Sequence, residues 1–67
     1  MKNNFKYKPG NILQYKFSLR DDYFIFYCMV LEIYEDLDCY KVFFITPRSR
    51  ISIQRTCYIE KYFEKIV

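Results

Sequence analysis

Histidine and tryptophan are missing from this chain, and glycine occurs once. Without histidine, the commonest general acid–base group and the commonest metal-ligating side chain are both gone. A single glycine cannot build a phosphate-cradling loop, which needs several. The three cysteines, Cys28, Cys39 and Cys57, form no CxxC pair. With no histidine to join them, a four-ligand zinc site is not expected. Their odd number, and the lack of a signal-peptide pattern, fit a reducing cytoplasm in which each acts as a small hydrophobe. No serine, threonine or cysteine sits in a recognisable nucleophile motif. The acidic groups, Asp21-Asp22 and Glu35-Asp36-Leu37-Asp38, read as solvated turns and lack the glycine and terminal glutamate of a calcium loop. The longest apolar run, residues 23–31, is too short to cross a bilayer. These gaps argue against an enzyme, a cofactor, a small-molecule substrate and a membrane partner.

What the chain does hold is aromatic density. Its 67 residues are 52% hydrophobic and 22% aromatic, with eight Tyr and seven Phe. That length makes one domain, and a small one hides only about 60% of its unfolded surface. Large side chains help such a core, because each buried aromatic removes about 150–250 Å² from water. Fifteen rings exceed what so small a core can hold, so an exposed aromatic patch is expected. The net charge of +3 is mildly basic.

Along the chain, residues 1–8 read as a loose arm or short lead-in strand, and residues 9–67 as the folded domain. Pro9-Gly10 is the one strong turn dipeptide, and its glycine implies a backbone conformation that other residues resist. In residues 11–18, Leu13, Tyr15 and Phe17 alternate with polar partners, the period of a half-buried strand. Residues 19–22 form a loop. Residues 23–34 make a long strand, apolar at nearly every position. A bulge near its end lets Val30 and Ile33 both face inward while Glu32 faces water. The acidic turn then leads into a hairpin partner at residues 39–46, a loop at residues 47–50 and a short strand around Ile51 and Ile53. Residues 56–67 are ambiguous. A helical turn at residues 56–61 followed by a closing strand is the favoured reading. A single terminal helix is the alternative, because Tyr58, Ile59, Tyr62, Phe63 and Ile66 also fall at helical spacing. The overall expectation is mainly β: a five-stranded, closed or nearly closed barrel with one short helical turn.

Four segments carry a resemblance. Lys8-Pro9-Gly10-Asn11-Ile12-Leu13 resembles the "PGD-(I/L)-V" opening of small SH3-like barrels, with Asn11 in place of the usual Asp. Cys28-Met29-Val30-Leu31-Glu32-Ile33 is similar to their "G-x-V-L-E-I" second strand, with Cys28 where Gly is typical. Tyr40-Lys41-Val42-Phe43-Phe44 resembles the third strand, and Tyr58-Ile59-Glu60 the turn before the last. The set resembles KOW- and Tudor-type SH3-like barrels and the short barrels encoded by bacteriophages. The resemblance implies a binding fold, and in a phage a protein that modulates a host factor in the host cytoplasm. It names no ligand.

Two kinds of partner are open, protein interaction as the favoured reading and nucleic acid as the alternative. The first is a protein, or a second copy of the chain as a homodimer, with exposed aromatics as the contact residues: Tyr23, Tyr27, Tyr34, Phe43 and Tyr62. The second is single-stranded nucleic acid, RNA included, which needs positive charge for phosphates and flat rings for bases. Its candidates are Arg48, Arg50 and Arg55 in and beyond one loop, with Lys41 on the neighbouring strand. Lys2, Lys6, Lys8 and Lys16 form a second basic group near the N-terminus.

Overall fold

The computed structural model describes residues 5–46 and 48–67. Its strands are β1 (Ile12–Leu19), β2 (Asp22–Tyr34), β3 (Cys39–Thr46), β4 (Arg50–Arg55) and β5 (Glu64–Lys65), with one helix, α1 (Thr56–Tyr62), between the last two. All pair antiparallel in one sheet of order β4-β3-β2-β1-β5. The sheet does not close, so the expected barrel is not reached. Its two edges, β4 and β5, are joined through α1, and two-residue β5 pairs only with the start of β1.

Local chemistry explains the elements. At the N-terminal turn, Pro9 and Gly10 take the second and third positions, and the Asn11 N–H donates to the Lys8 carbonyl at 3.0 Å. Gly10 has φ +96°, which the third position of a type II turn requires. Asn11 Oδ1 accepts the Lys8 N–H at 2.8 Å, so Asn11 supplies the acceptor that an Asp would. Between β1 and β2 the loop shrinks to Arg20 and Asp21, with Arg20 at φ +59°. In β2 the register steps from Val30↔Val42 to Glu32↔Lys41, skipping Leu31. This is the expected bulge: Val30 is buried, Ile33 packs on the core and Glu32 is exposed. At about 3.3 Å per residue, the thirteen residues of β2 account for most of the molecule's 44 Å long axis.

The single-helix alternative for the C-terminus is overturned. α1 stops at Tyr62, and Phe63 is extended at φ −106°, ψ 147°. Beyond it, Ile66 donates to the Ile12 carbonyl at 2.8 Å, and Ile12 donates to the Val67 carbonyl at 3.0 Å. Continuing the helix would leave those β1 groups without these partners. It would also align the like-charged pairs Glu60 with Glu64 and Lys61 with Lys65.

The core lies on one face of the sheet, hereafter the inner face. Leu13, Cys28, Val30, Tyr40 and Val42 come from the strands, Ile59 and Phe63 from the helical segment, and Tyr7 from the N-terminal segment. Each aliphatic side chain so buried contributes about 1.5–3 kcal/mol. The Cys28 side chain is itself core. Burial pushes its thiol up to about 12.

The loose arm expected at residues 1–8 is tied down over the part described, and residues 1–4 lie outside the described residues. Tyr7 is buried, and its hydroxyl donates to the Phe63 carbonyl at 2.6 Å. The Tyr7 N–H donates to the Tyr40 hydroxyl at 3.1 Å. Tyr40 in turn donates to Glu60 Oε2 at 2.6 Å, and the same oxygen accepts the Lys6 N–H at 2.8 Å. Burial first, and the bonded carboxylate second, hold the Tyr40 phenol well above its usual range. This network fastens the N-terminal segment, β3 and α1 together, and it satisfies polar groups that would otherwise be costly to bury. No helix of the described residues is long and apolar enough to cross a membrane.

Candidate functional site

Register decides which side chains share a face, since successive residues of a strand point opposite ways. The pairs Leu13↔Cys28, Tyr15↔Phe26 and Phe17↔Phe24 put these six on one face of the β1–β2 hairpin. Cys28↔Phe44 and Phe44↔Arg50 carry that face across β3 to β4. The inner face therefore runs from the sealed core out along the projecting hairpin. Its outer part is a continuous set of rings. Phe63 meets Tyr15, Tyr15 stacks with Phe17 at 5.4 Å, and Phe17 stacks with Phe24 at 5.1 Å. Phe26 touches both Tyr15 and Phe17. Phe24, at the far end, is 39% exposed.

Beside this shelf lies a groove of about 590 Å³, within the usual range for ligand sites. Phe26, Phe44, Tyr58 and Phe63 form its aromatic wall, and Thr46, Arg48, Arg50 and Gln54 supply its polar groups. The Arg50 guanidinium sits over the Phe44 ring, 5.2 Å from its centroid. Gln54 Nε2 donates to Ser52 Oγ at 2.7 Å, which leaves its carbonyl oxygen as an acceptor. Thr46 Oγ1 accepts the Tyr27 N–H at 3.3 Å, so its own proton is free to be donated. Desolvation first, then the neighbouring Tyr15 and Tyr62, raises the Tyr58 phenol. Among the described residues, no carboxylate lines the groove.

The candidates read from the sequence divide between the two faces. Arg48 and Arg50 reach the groove. Lys41 does not: it pairs with Ile53 and Glu32 on the outer face, with its ammonium 4.0 Å from the Glu32 carboxylate. Arg55 pairs with Cys39 on that outer face, at the cap of α1. Of the N-terminal lysines, Lys2 is outside the described residues, Lys6 and Lys8 flank Tyr7, and Lys16 faces outward opposite Ile25. Tyr23, Tyr27, Tyr34 and Phe43 all lie on the outer face, whereas Tyr62 sits on α1 against Tyr15 and Tyr58.

Phe17, Phe24, Phe26, Phe44, Tyr58 and Phe63 were not singled out from the sequence. The alternation of Tyr15 with Phe17 and of Phe24 with Phe26 was the available signal. Seeing that the two pairs meet required the hairpin register, which the two-residue turn sets.

Among the described residues, no group of three or more His, Cys, Asp or Glu is placed to hold a metal ion. No protein-family model, curated protein or solved structure matches this chain.

Proposed function

We propose that this chain is a non-catalytic binding module of the SH3-like kind, and that it takes single-stranded nucleic acid along the aromatic shelf and into the adjoining groove. One observation carries the reading: a run of stacked rings ends at a groove that holds two guanidinium groups and no carboxylate. Rings accept bases of any sequence, at about 1–3 kcal/mol per stacked base, and arginines accept phosphates. The same lining disfavours a methyl-lysine, since an aromatic cage for a cation does not carry two positive charges. The strand order and the short helix before the last strand support the SH3-like assignment. The phage setting rests on the resemblance in the sequence alone.

A second reading is protein interaction across the outer face, where Tyr23, Ile51 and Ile53 are 78%, 59% and 56% exposed. Rows such as Ile12, Met29, Phe43 and Ile51 run across four strands there. A second copy or a host protein would bury such a surface.

Salt separates the two readings. Each phosphate contact on a single strand contributes a slope of about −0.7 in log K against log salt, or about threefold weaker binding between ~50 and ~200 mM. A gel-shift titration with mixed oligonucleotides is expected to show that loss. The double variant Arg48→Ala, Arg50→Ala is expected to flatten it. A mobility shift that ignores both salt and the double variant excludes the groove as the nucleic-acid site.

A further inference from the structure

We infer that the groove selects guanine over adenine, with the Arg50 fork as the reading group; this rests on the nucleic-acid reading above and adds base identity to it. The groove's polar lining is unbalanced. Arg48 and Arg50 only donate, and Thr46 and Tyr58 each have a hydroxyl proton to give. The Gln54 carbonyl is the acceptor left by its bond to Ser52. A ligand that satisfies this set presents adjacent acceptors on one edge and a donor on another.

Among the bases, guanine does so. Its O6 and N7 match a guanidinium fork, and its N1–H and N2–H₂ can meet one carbonyl acceptor. Adenine places its N6 amine where guanine has O6, so donor would face donor, and a buried donor left unpaired is costly. The two arginines are not equivalent. The Arg50 guanidinium lies over Phe44, 5.2 Å from its ring centroid, which places its fork beside the aromatic wall of the groove. Arg48 belongs to the loop between β3 and β4 and supplies charge for a phosphate.

The test uses fluorescein-labelled short oligothymidylates carrying one central dG or one central dA, read by fluorescence anisotropy at low salt with the intact chain. The dG strand is expected to bind about tenfold more tightly, the discrimination that one bidentate pair provides. Arg50→Lys keeps the charge but loses the fork. It is expected to bring the two strands level while leaving the salt slope unchanged, and Arg48→Lys is expected to keep the preference. Equal affinity for dG and dA in the unaltered chain overturns the guanine assignment and leaves nucleic-acid binding standing. A dG preference that survives Arg50→Lys overturns Arg50 as the reader. Absence of binding to either strand overturns the nucleic-acid reading itself, and the base assignment with it.

Discussion

The inner face of the sheet has two ends, one sealed and one open. At one end Leu13, Cys28, Val30 and Val42 lie under Ile59, Phe63 and Tyr7, and nothing there reaches solvent. At the other end Phe17 stacks with Phe24 and meets Phe26 at a tilt, with Phe24 open to water, and the groove with Arg48 and Arg50 adjoins them. The difference comes from what crosses above. α1 has only seven residues, so it covers one end and stops. β2, at thirteen residues, runs well past it. Apolar surface at the sealed end supports the fold, and apolar surface at the open end is available to a ligand.

This division is most easily broken at the sealed end. Leu13→Ala is expected to cost about 2–5 kcal/mol, close to the whole margin of about 3–5 kcal/mol that so small a core provides. Urea unfolding followed by circular dichroism is expected to show a transition near zero denaturant. A midpoint within experimental error of the parent would mean that the sealed end is not the core.

Alkaline pH attacks the same end. The Cys28 thiol ionises near its usual 9.0 when unfolded but near 12 when folded, and the Tyr40 phenol is raised in the same direction. A raised folded pKa means that the stabilisation is complete below pH 9 and is lost as pH climbs toward 12. The urea midpoint should be level from pH 6 to about 8.5 and fall above 9. Cys28→Ala is expected to remove the thiol's share of that fall and keep the share of Tyr40.

At the open end the expected effect changes in kind. Phe24→Ala is expected to leave the fold intact and to weaken oligonucleotide binding by about 1–3 kcal/mol, the loss of one stacked base. Large destabilisation with unchanged binding would reverse the roles of the two ends. The smallest effect is expected at the margin of the sealed end. Thr56 Oγ1 is buried without a hydrogen-bond partner, although the Thr56 N–H reaches the Asp38 carbonyl at 3.0 Å. Thr56→Val keeps the shape, removes that cost and is expected to raise stability by about 1 kcal/mol in the same urea assay.

Much of the sealed end was legible in the sequence. The alternation of Leu13, Tyr15 and Phe17 placed β1 to within a residue, and the acidic turn marked the hairpin with β3, whose bounds match the expectation. The break in pattern at Glu32 located the bulge, and the one glycine located one positive-φ turn residue. Tyr7 was missed as a core residue because Phe5 and Tyr7 stand in a Lys- and Asn-rich segment too short to establish a period. How far the sheet closes was not legible, since β-rich patterning does not reveal that the last strand has only two residues. The open end was the least legible. Lys41 is near Arg50 in sequence and one strand away in space, yet parity puts it on the opposite face. The site depends on register across three strand pairs, and a one-residue slip in any of them would exchange its faces.

The most direct measurement is amide and side-chain chemical-shift mapping of the isotope-labelled chain during titration with a short single-stranded oligonucleotide at low salt. The account predicts that the largest shifts fall on Phe17, Phe24, Phe26, Phe44, Arg48, Arg50 and Tyr58, with Tyr23, Tyr27, Ile51 and Ile53 on the outer face unmoved. Shifts concentrated on the outer face, or none at any residue, would contradict it.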